Sequence, residues 1–130
     1  MSQTVTPYLL YEDVEAAAAF LTRAFGLREI DRRTGGAGGR HLEFETELGG
    51  RIYAGQPPQP GGFRNPVEVG RTSIVYVTVA AVDAHHDRAK AEGATITEEL
   101  VDLPFGHRRY SCRDPQGHEW AFAQVLEGAA

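Results

Sequence analysis

The sequence has a single cysteine, Cys112, which excludes an internal disulfide and suits a reducing compartment. It has no long apolar run; the longest are a few residues, too short to span a bilayer. It has no block of lysine or arginine. Thirteen basic against eighteen acidic side chains leave a formal charge of −5, which argues against nucleic acid or an anionic membrane as partner. The first residues lack the basic-then-apolar layout of a secretory leader. These absences lead us to expect a soluble, cytoplasmic protein, and they say nothing about chemistry.

What is present is ordinary globular composition, with 42% hydrophobic and 24% charged residues in 130, enough chain for one domain with a real core. Val5–Tyr11 is short and apolar and reads as a buried strand. Asp13 is placed to cap a helix over Val14–Phe25, where Val14, Ala17, Ala18, Leu21 and Phe25 recur at helical spacing and Gly26 sits where a C-cap glycine belongs. Leu27–Arg33 reads as a strand, followed by a Gly-rich turn over Thr34–Gly39. In Arg40–Leu48, Leu42, Phe44 and Thr46 alternate with His41, Glu43 and Glu45, the period-two pattern of a half-buried strand. Gly49 and Gly50 then turn the chain into a strand over Arg51–Gly55.

The proline- and glycine-rich stretch Gln56–Gly70 reads as a linker or flap. Beyond it the order returns: a strand over Thr72–Val79, a helix over Val82–Glu92 ending at Gly93, a strand over Ala94–Val101. Two more strands, His107–Arg113 and His118–Val125, flank the turn Asp114-Pro115-Gln116-Gly117. One shift of 68 residues carries Tyr8 to Tyr76, Val14 to Val82, Phe44 to Cys112, Gly49 to Gly117 and Ile52 to Trp120. The chain therefore reads as an α+β fold of two tandem βαβββ modules forming a curved sheet around a cleft. Module one runs over about 4–55, the linker over 56–71 and module two over about 72–126.

That paired layout, the helix of "DVEAAAAFLTRAFGL", the second module's "AAVDAHHDRAKAEGA" and the closing "RDPQGHEWAFAQ" resemble the vicinal-oxygen-chelate superfamily. This group holds glyoxalase I, extradiol dioxygenases, and fosfomycin- and bleomycin-resistance proteins. The resemblance implies a small-molecule cleft and a homodimer whose two chains share their clefts. It also implies four positions for a divalent metal, which fall here on Thr6, Tyr53, Ile74 and Ala121. Ile74 and Ala121 offer no lone pair, so we expect neither a family-type metal nor any other cofactor.

Strand alternation turns Thr6, Tyr8, Leu10, Ile74, Tyr76, Thr78, Glu119, Ala121 and Ala123 toward the cleft, with the two alanines leaving room. The hairpins add His41, Glu43, Arg51, Tyr53, Arg109, Ser111 and Arg113. The expected ligand-binding set is Tyr8, Leu10, His41, Glu43, Tyr53, Phe63, Tyr76, Arg109, Ser111 and Glu119, with Phe63 supplied by the closing flap. Tyr8 and Tyr76 are placed to pack against each other across the pseudo-twofold axis, and Arg108-Arg109 to pair with Glu43 or Glu45. Trp120 is assigned to the core, His118 to a backbone hydrogen bond, and His85 and His86 to solvated helix surface.

Three functions follow. The first is a metal-independent protein, of the bleomycin-resistance type, that sequesters an aromatic natural product or antibiotic. The second is a glyoxalase-like lyase or isomerase with an atypical metal or an acid/base site using His41 and Glu43, which with Glu119 form the one cluster suited to acid/base work or a displaced metal. The third is an interaction module whose cleft is filled by its own tyrosines.

Overall fold

The computed structural model describes residues 3–34, 38–58 and 63–127. The centres of the expected Gly-rich turn and of the expected flap lie outside the described residues. The elements run β1 (Tyr8–Leu10), α1 (Val14–Phe25), β2 (Arg28–Thr34), β3 (Arg40–Glu45), β4 (Arg51–Gln56), α2 (Pro66–Val69), β5 (Ile74–Thr78), α3 (Val82–Ala91), β6 (Thr95–Asp102), β7 (His107–Arg113) and β8 (Glu119–Val125). They form two four-stranded mixed sheets, ordered β1-β4-β3-β2 and β5-β8-β7-β6. In each sheet the first strand runs parallel to the last of its own module, with Tyr8 beside Tyr53 and, 68 residues on, Tyr76 beside Ala121.

Local chemistry repeats with the same shift. Asp13 caps α1 by accepting from Ala16 N, and Gly26 closes the helix at a left-handed φ of 71°. The first amide of α1, Val14 N, donates to the Gln56 side chain at 2.9 Å; the first amide of α3, Val82 N, donates to the Gln124 side chain at 3.0 Å. Each last strand thus reaches back to hold the start of its own helix.

The two helices pack against each other and lie on the inner faces of both sheets. Phe25 at the end of α1 sits against Trp120 and Phe122 of β8, with ring centroids 5.1 and 4.8 Å away. One continuous core results, drawn from Leu42, Phe44, Ile52 and Ala54 on one sheet and Tyr110, Cys112, Trp120 and Phe122 on the other. Each of the larger of these side chains contributes roughly 1.5–3 kcal/mol by leaving water.

Polar contacts bolt the modules together. On α3, Arg88 donates to the carbonyls of Arg23 and Thr22, and His85 Nε2 donates to that of Phe25 at 3.0 Å, so α3 caps the free C-terminal carbonyls of α1. His85 Nδ1 then accepts from the Tyr110 hydroxyl at 2.6 Å. The Asp114 carboxylate, 4% exposed, accepts from Tyr11 Oη of module one (2.6 Å), from Trp120 Nε1 (3.2 Å), and from the amides of Gln116 and His118. Burial, and then the Asp114 charge, hold the Tyr11 hydroxyl well above its ordinary pKa, so it remains a donor.

One expectation fails here, and one element is added. His85 and His86 are not solvated surface: His85 joins the inter-module contact just described, and His86 is 7% exposed, its ring edge-on to Tyr110. The described part of the linker carries a short helix that the sequence reading does not include. Pro66 starts the short helix α2, which docks by Val67 N onto the Gln116 carbonyl and, through Asn65, onto the Glu12 amide.

Candidate functional site

With Leu42, Phe44, Ile52 and Ala54 turned to the core, alternation puts His41, Glu43 and Tyr53 on the opposite, open face of the first sheet. Gly55 lies on the same face, in register between Leu10 and His41. It has no side chain, and Tyr8 uses the space: a β-carbon there would lie 2.6 Å from the Tyr8 ring. Tyr8 therefore crosses β4 and reaches His41 on β3, with Tyr8 Oη 2.7 Å from His41 Nδ1. The other ring nitrogen, Nε2, is 2.8 Å from Glu43 Oε2.

An ionised carboxylate only accepts, so Nε2 carries the proton and, in the neutral ring, Nδ1 accepts from the phenol. The three groups form a phenol–imidazole–carboxylate relay. Tyr53 closes the cluster with its ring edge-on to both Tyr8 (5.8 Å) and His41 (5.0 Å). Arg33 stands 3.7 Å from Glu43 and is paired more closely with Asp31. Partial burial and then the Glu43 charge raise the Tyr8 hydroxyl above its ordinary value, which keeps it protonated. Tyr8 and Leu10 are nevertheless 49% and 40% exposed, and with His41, Gly55 and Pro57 they line a shallow pocket of about 270 Å³.

The open face of the second sheet differs. Tyr76 Oη lies 3.0 Å from His107 Nδ1, with no carboxylate bonded to the far side of that imidazole among the described residues. Arg109 pairs with Glu98 at 2.9 Å, and the Ser111 hydroxyl points at the same carboxylate. Glu119 is held by Arg71 at 2.8 Å and faces Arg113 and Thr97. Ala121 and Ala123 are 1% and 0% exposed, in register between Tyr76 and Ser111 and between Thr78 and Arg109. Their neighbours close over them, so the expected room is not left open.

The expected ligand set therefore separates into two groups. Tyr8, Leu10, His41, Glu43 and Tyr53 share one face; Tyr76, Arg109, Ser111 and Glu119 share the other. Because the helices lie between the sheets, the two tyrosines do not meet, and each pairs with a histidine of its own sheet. For the same reason the grouping of His41 with both Glu43 and Glu119 reduces to His41 and Glu43. Arg108 and Arg109 pair within their own module, with Asp102 and Asp83 and with Glu98, rather than with Glu43 or Glu45. Phe63 is half-buried beside α2 and makes no ring contact with either cluster among the described residues. Trp120 is fully buried, and His118 Nε2 donates to the Leu10 carbonyl at 2.8 Å, both as expected.

The Tyr8–His41 bond was not visible in the sequence, because only the β1-β4-β3 order places Gly55 between the two residues. The burial of His85 and His86 did have a signal. Their mates at the 68-residue shift, Ala17 and Ala18, lie on the buried stripe of α1.

Residues 3–122 match the family model for the glyoxalase/bleomycin resistance protein/dioxygenase superfamily. The chain belongs to that superfamily. A relative at 30% identity is an uncharacterised protein of Mycobacterium bovis, aligned over 94% of this chain and 83% of its own length. Among solved structures, TioX from Micromonospora sp. ML1 is 32% identical, with a TM-score of 0.74 over 96% of this chain and 100% of that one. TnmS3, an antibiotic binding protein from Streptomyces sp. CB03234, is 19% identical and shares the fold with a TM-score of 0.72, over 96% and 97% of the two chains.

The superfamily's metal does not fit the residues present. Thr6 and Tyr53 bring neutral hydroxyls from one module, while Ile74 and Ala121, from the other, bring hydrocarbon. Among the described residues no three His, Cys, Asp or Glu side chains converge as a metal-binding group. Cys112 is no nucleophile: it is fully buried, and burial pushes its thiol up to about 12.

Proposed function

We propose that this superfamily member is a metal-independent, cytoplasmic small-molecule binding protein that sequesters an aromatic natural product or antibiotic. The observation that carries the reading is the Tyr8–His41–Tyr53 ring cluster on the open face, held in one geometry by hydrogen bonds and by Gly55, with Tyr53 at one of the four positions a superfamily metal would need. Aromatic walls with a few fixed polar groups suit a flat organic ligand. Sequestration needs affinity and no reactive group, so it survives the loss of metal ligands. That TnmS3 binds an antibiotic on the same fold accords with this reading.

The homodimer belongs to the same proposal. Each chain presents its two open faces away from the helices, with Tyr8, Leu10, Ile74 and Tyr76 between 40% and 51% exposed. A second copy that set its second sheet over the first sheet of this one would cover those residues and enclose two shared clefts. A calorimetric screen with bleomycin-like and quinoline-bearing peptides is expected to give saturable binding; silence across the whole panel would contradict the reading.

One observation favours a second reading, a lyase or isomerase. The relay from Tyr8 through His41 to Glu43 is a competent proton path. Metal analysis of protein purified without chelator separates the two: a stoichiometric divalent ion that disappears in His41→Ala would favour the enzyme.

A further inference from the structure

The relay fixes which way hydrogen bonds run at the rim of the first module's pocket. Glu43, 14% exposed at its side chain, is an acceptor for His41 Nε2 at 2.8 Å. That bond places the single proton of a neutral imidazole on Nε2, so Nδ1 takes the hydrogen of Tyr8 Oη at 2.7 Å. The hydroxyl has then spent its only donor within the protein. What remains on Tyr8 is a pair of oxygen lone pairs on a side chain that is 49% exposed, beside a ring whose inner face rests on Gly55. At Tyr8 a group arriving from solvent meets an aromatic ring and an acceptor rather than a donor, while the N–H donors of the pocket, on Arg40 and Gln56, stand elsewhere on its rim.

We infer that the ligand of this site is an aromatic ring system bearing its own hydrogen-bond donor, a phenolic hydroxyl or ring N–H, which it gives to Tyr8 Oη. An analogue with the same ring and only acceptors, such as a methyl ether, places two sets of lone pairs face to face and binds less well. Tyr76 does not impose this rule. Its imidazole partner His107 has no carboxylate on its far side among the described residues, so nothing there sets the tautomer and the Tyr76 hydrogen is free to point either way. The inference rests on the binding reading above and adds the polarity of the ligand to it.

The test uses the full chain at neutral pH and two probes, 2-naphthol and 2-methoxynaphthalene, which share a ring and differ in the donor. Titration calorimetry is expected to show 2-naphthol binding roughly three- to tenfold tighter, the range of one net hydrogen bond. In Tyr8→Phe that preference is expected to vanish; in Tyr76→Phe it is expected to persist. Both positions are about half exposed, so the variants keep the core intact, and circular dichroism checks that they do. Equal binding of the two probes, or a preference that survives Tyr8→Phe, would overturn the inference and leave sequestration standing. Binding of neither probe would overturn the binding reading and the inference with it.

Discussion

At matched places on their open faces the first module carries Tyr8, His41, Glu43, Tyr53 and Gly55, and the second carries Tyr76, Arg109, Ser111, Ala121 and Ala123. The backbones repeat, down to the parallel strand pair and the glutamine that caps each helix. The chemistry does not. One glycine accounts for much of the contrast: Gly55 lets Tyr8 lie across β4 onto His41, whereas its mate Ala123 puts a methyl group where that path would run. The first face holds aromatic rings ordered by hydrogen bonds, and the second holds charges neutralised by Glu98 and Glu119. Duplication preserved a scaffold while the two open faces became different surfaces.

The modules also differ at the turn before each last strand, and there the largest effects are expected. Asp114 gathers four donors from both modules, while its mate Thr46 accepts one, from Gly50 N. Asp114→Ala leaves buried donors without a partner and is expected to cost roughly 3–5 kcal/mol in urea unfolding, against about 1 kcal/mol for Thr46→Ala. Equal costs would mean that the Asp114 turn is not the bolt described.

The glycines three residues after Thr46 and Asp114, in the same turns, sharpen the contrast. Gly49 and Gly117 both have φ of 98°, but only Gly117 is crowded, its missing β-carbon lying 2.3 Å from the Val67 amide. Gly49→Ala is expected to cost about 1–2 kcal/mol for the left-handed backbone alone. Gly117→Ala adds the displacement of α2 and is expected to cost about 2–4 kcal/mol, with faster proteolysis at residues 63–70.

Gly55→Ala would give the first module the methyl group of the second. It is expected to push Tyr8 off His41 and to weaken binding of an aromatic probe about tenfold, the value of roughly 1.4 kcal/mol, with a smaller change in fold stability. Unchanged affinity would dissociate the relay from the site.

The smallest effect is expected from acid. Burial lowers the His85 pKa below its ordinary 6.5, because the charged ring is disfavoured between the helices. As pH falls, the unfolded chain takes up this proton before the folded one does. The stability contributed by neutral His85 is therefore full above 6.5 and lost as pH falls through the folded value. His85→Gln, at a position whose mate is Ala17, is expected to flatten that decline in unfolding free energy measured between neutral and acid pH.

Much of the fold was legible in the sequence because local signals agreed with the repeat. Asp13, the apolar spacing and Gly26 bound α1 at the residues observed, and the alternation in Arg40–Leu48 assigned Leu42 and Phe44 to the core. The helix α2 was missed because four residues, the first a proline, carry no periodicity. The separation of the candidate site into two faces was missed because alternation tells which side of a strand a residue takes, and not whether two sheets turn those sides together. His85 and His86 were misplaced because polar residues seldom go inside, and here the partners that permit it, Tyr110, the Phe25 carbonyl and Glu99, come from distant strands and the other helix.

The central claim is that the first module's aromatic face binds its ligand without a metal. Titration calorimetry of chelator-stripped protein with an aromatic ligand from the screen, repeated with added zinc or nickel, tests it most directly. The account predicts saturable binding of one ligand per chain with the same affinity in both titrations. Binding that appears only after the metal is restored would contradict it.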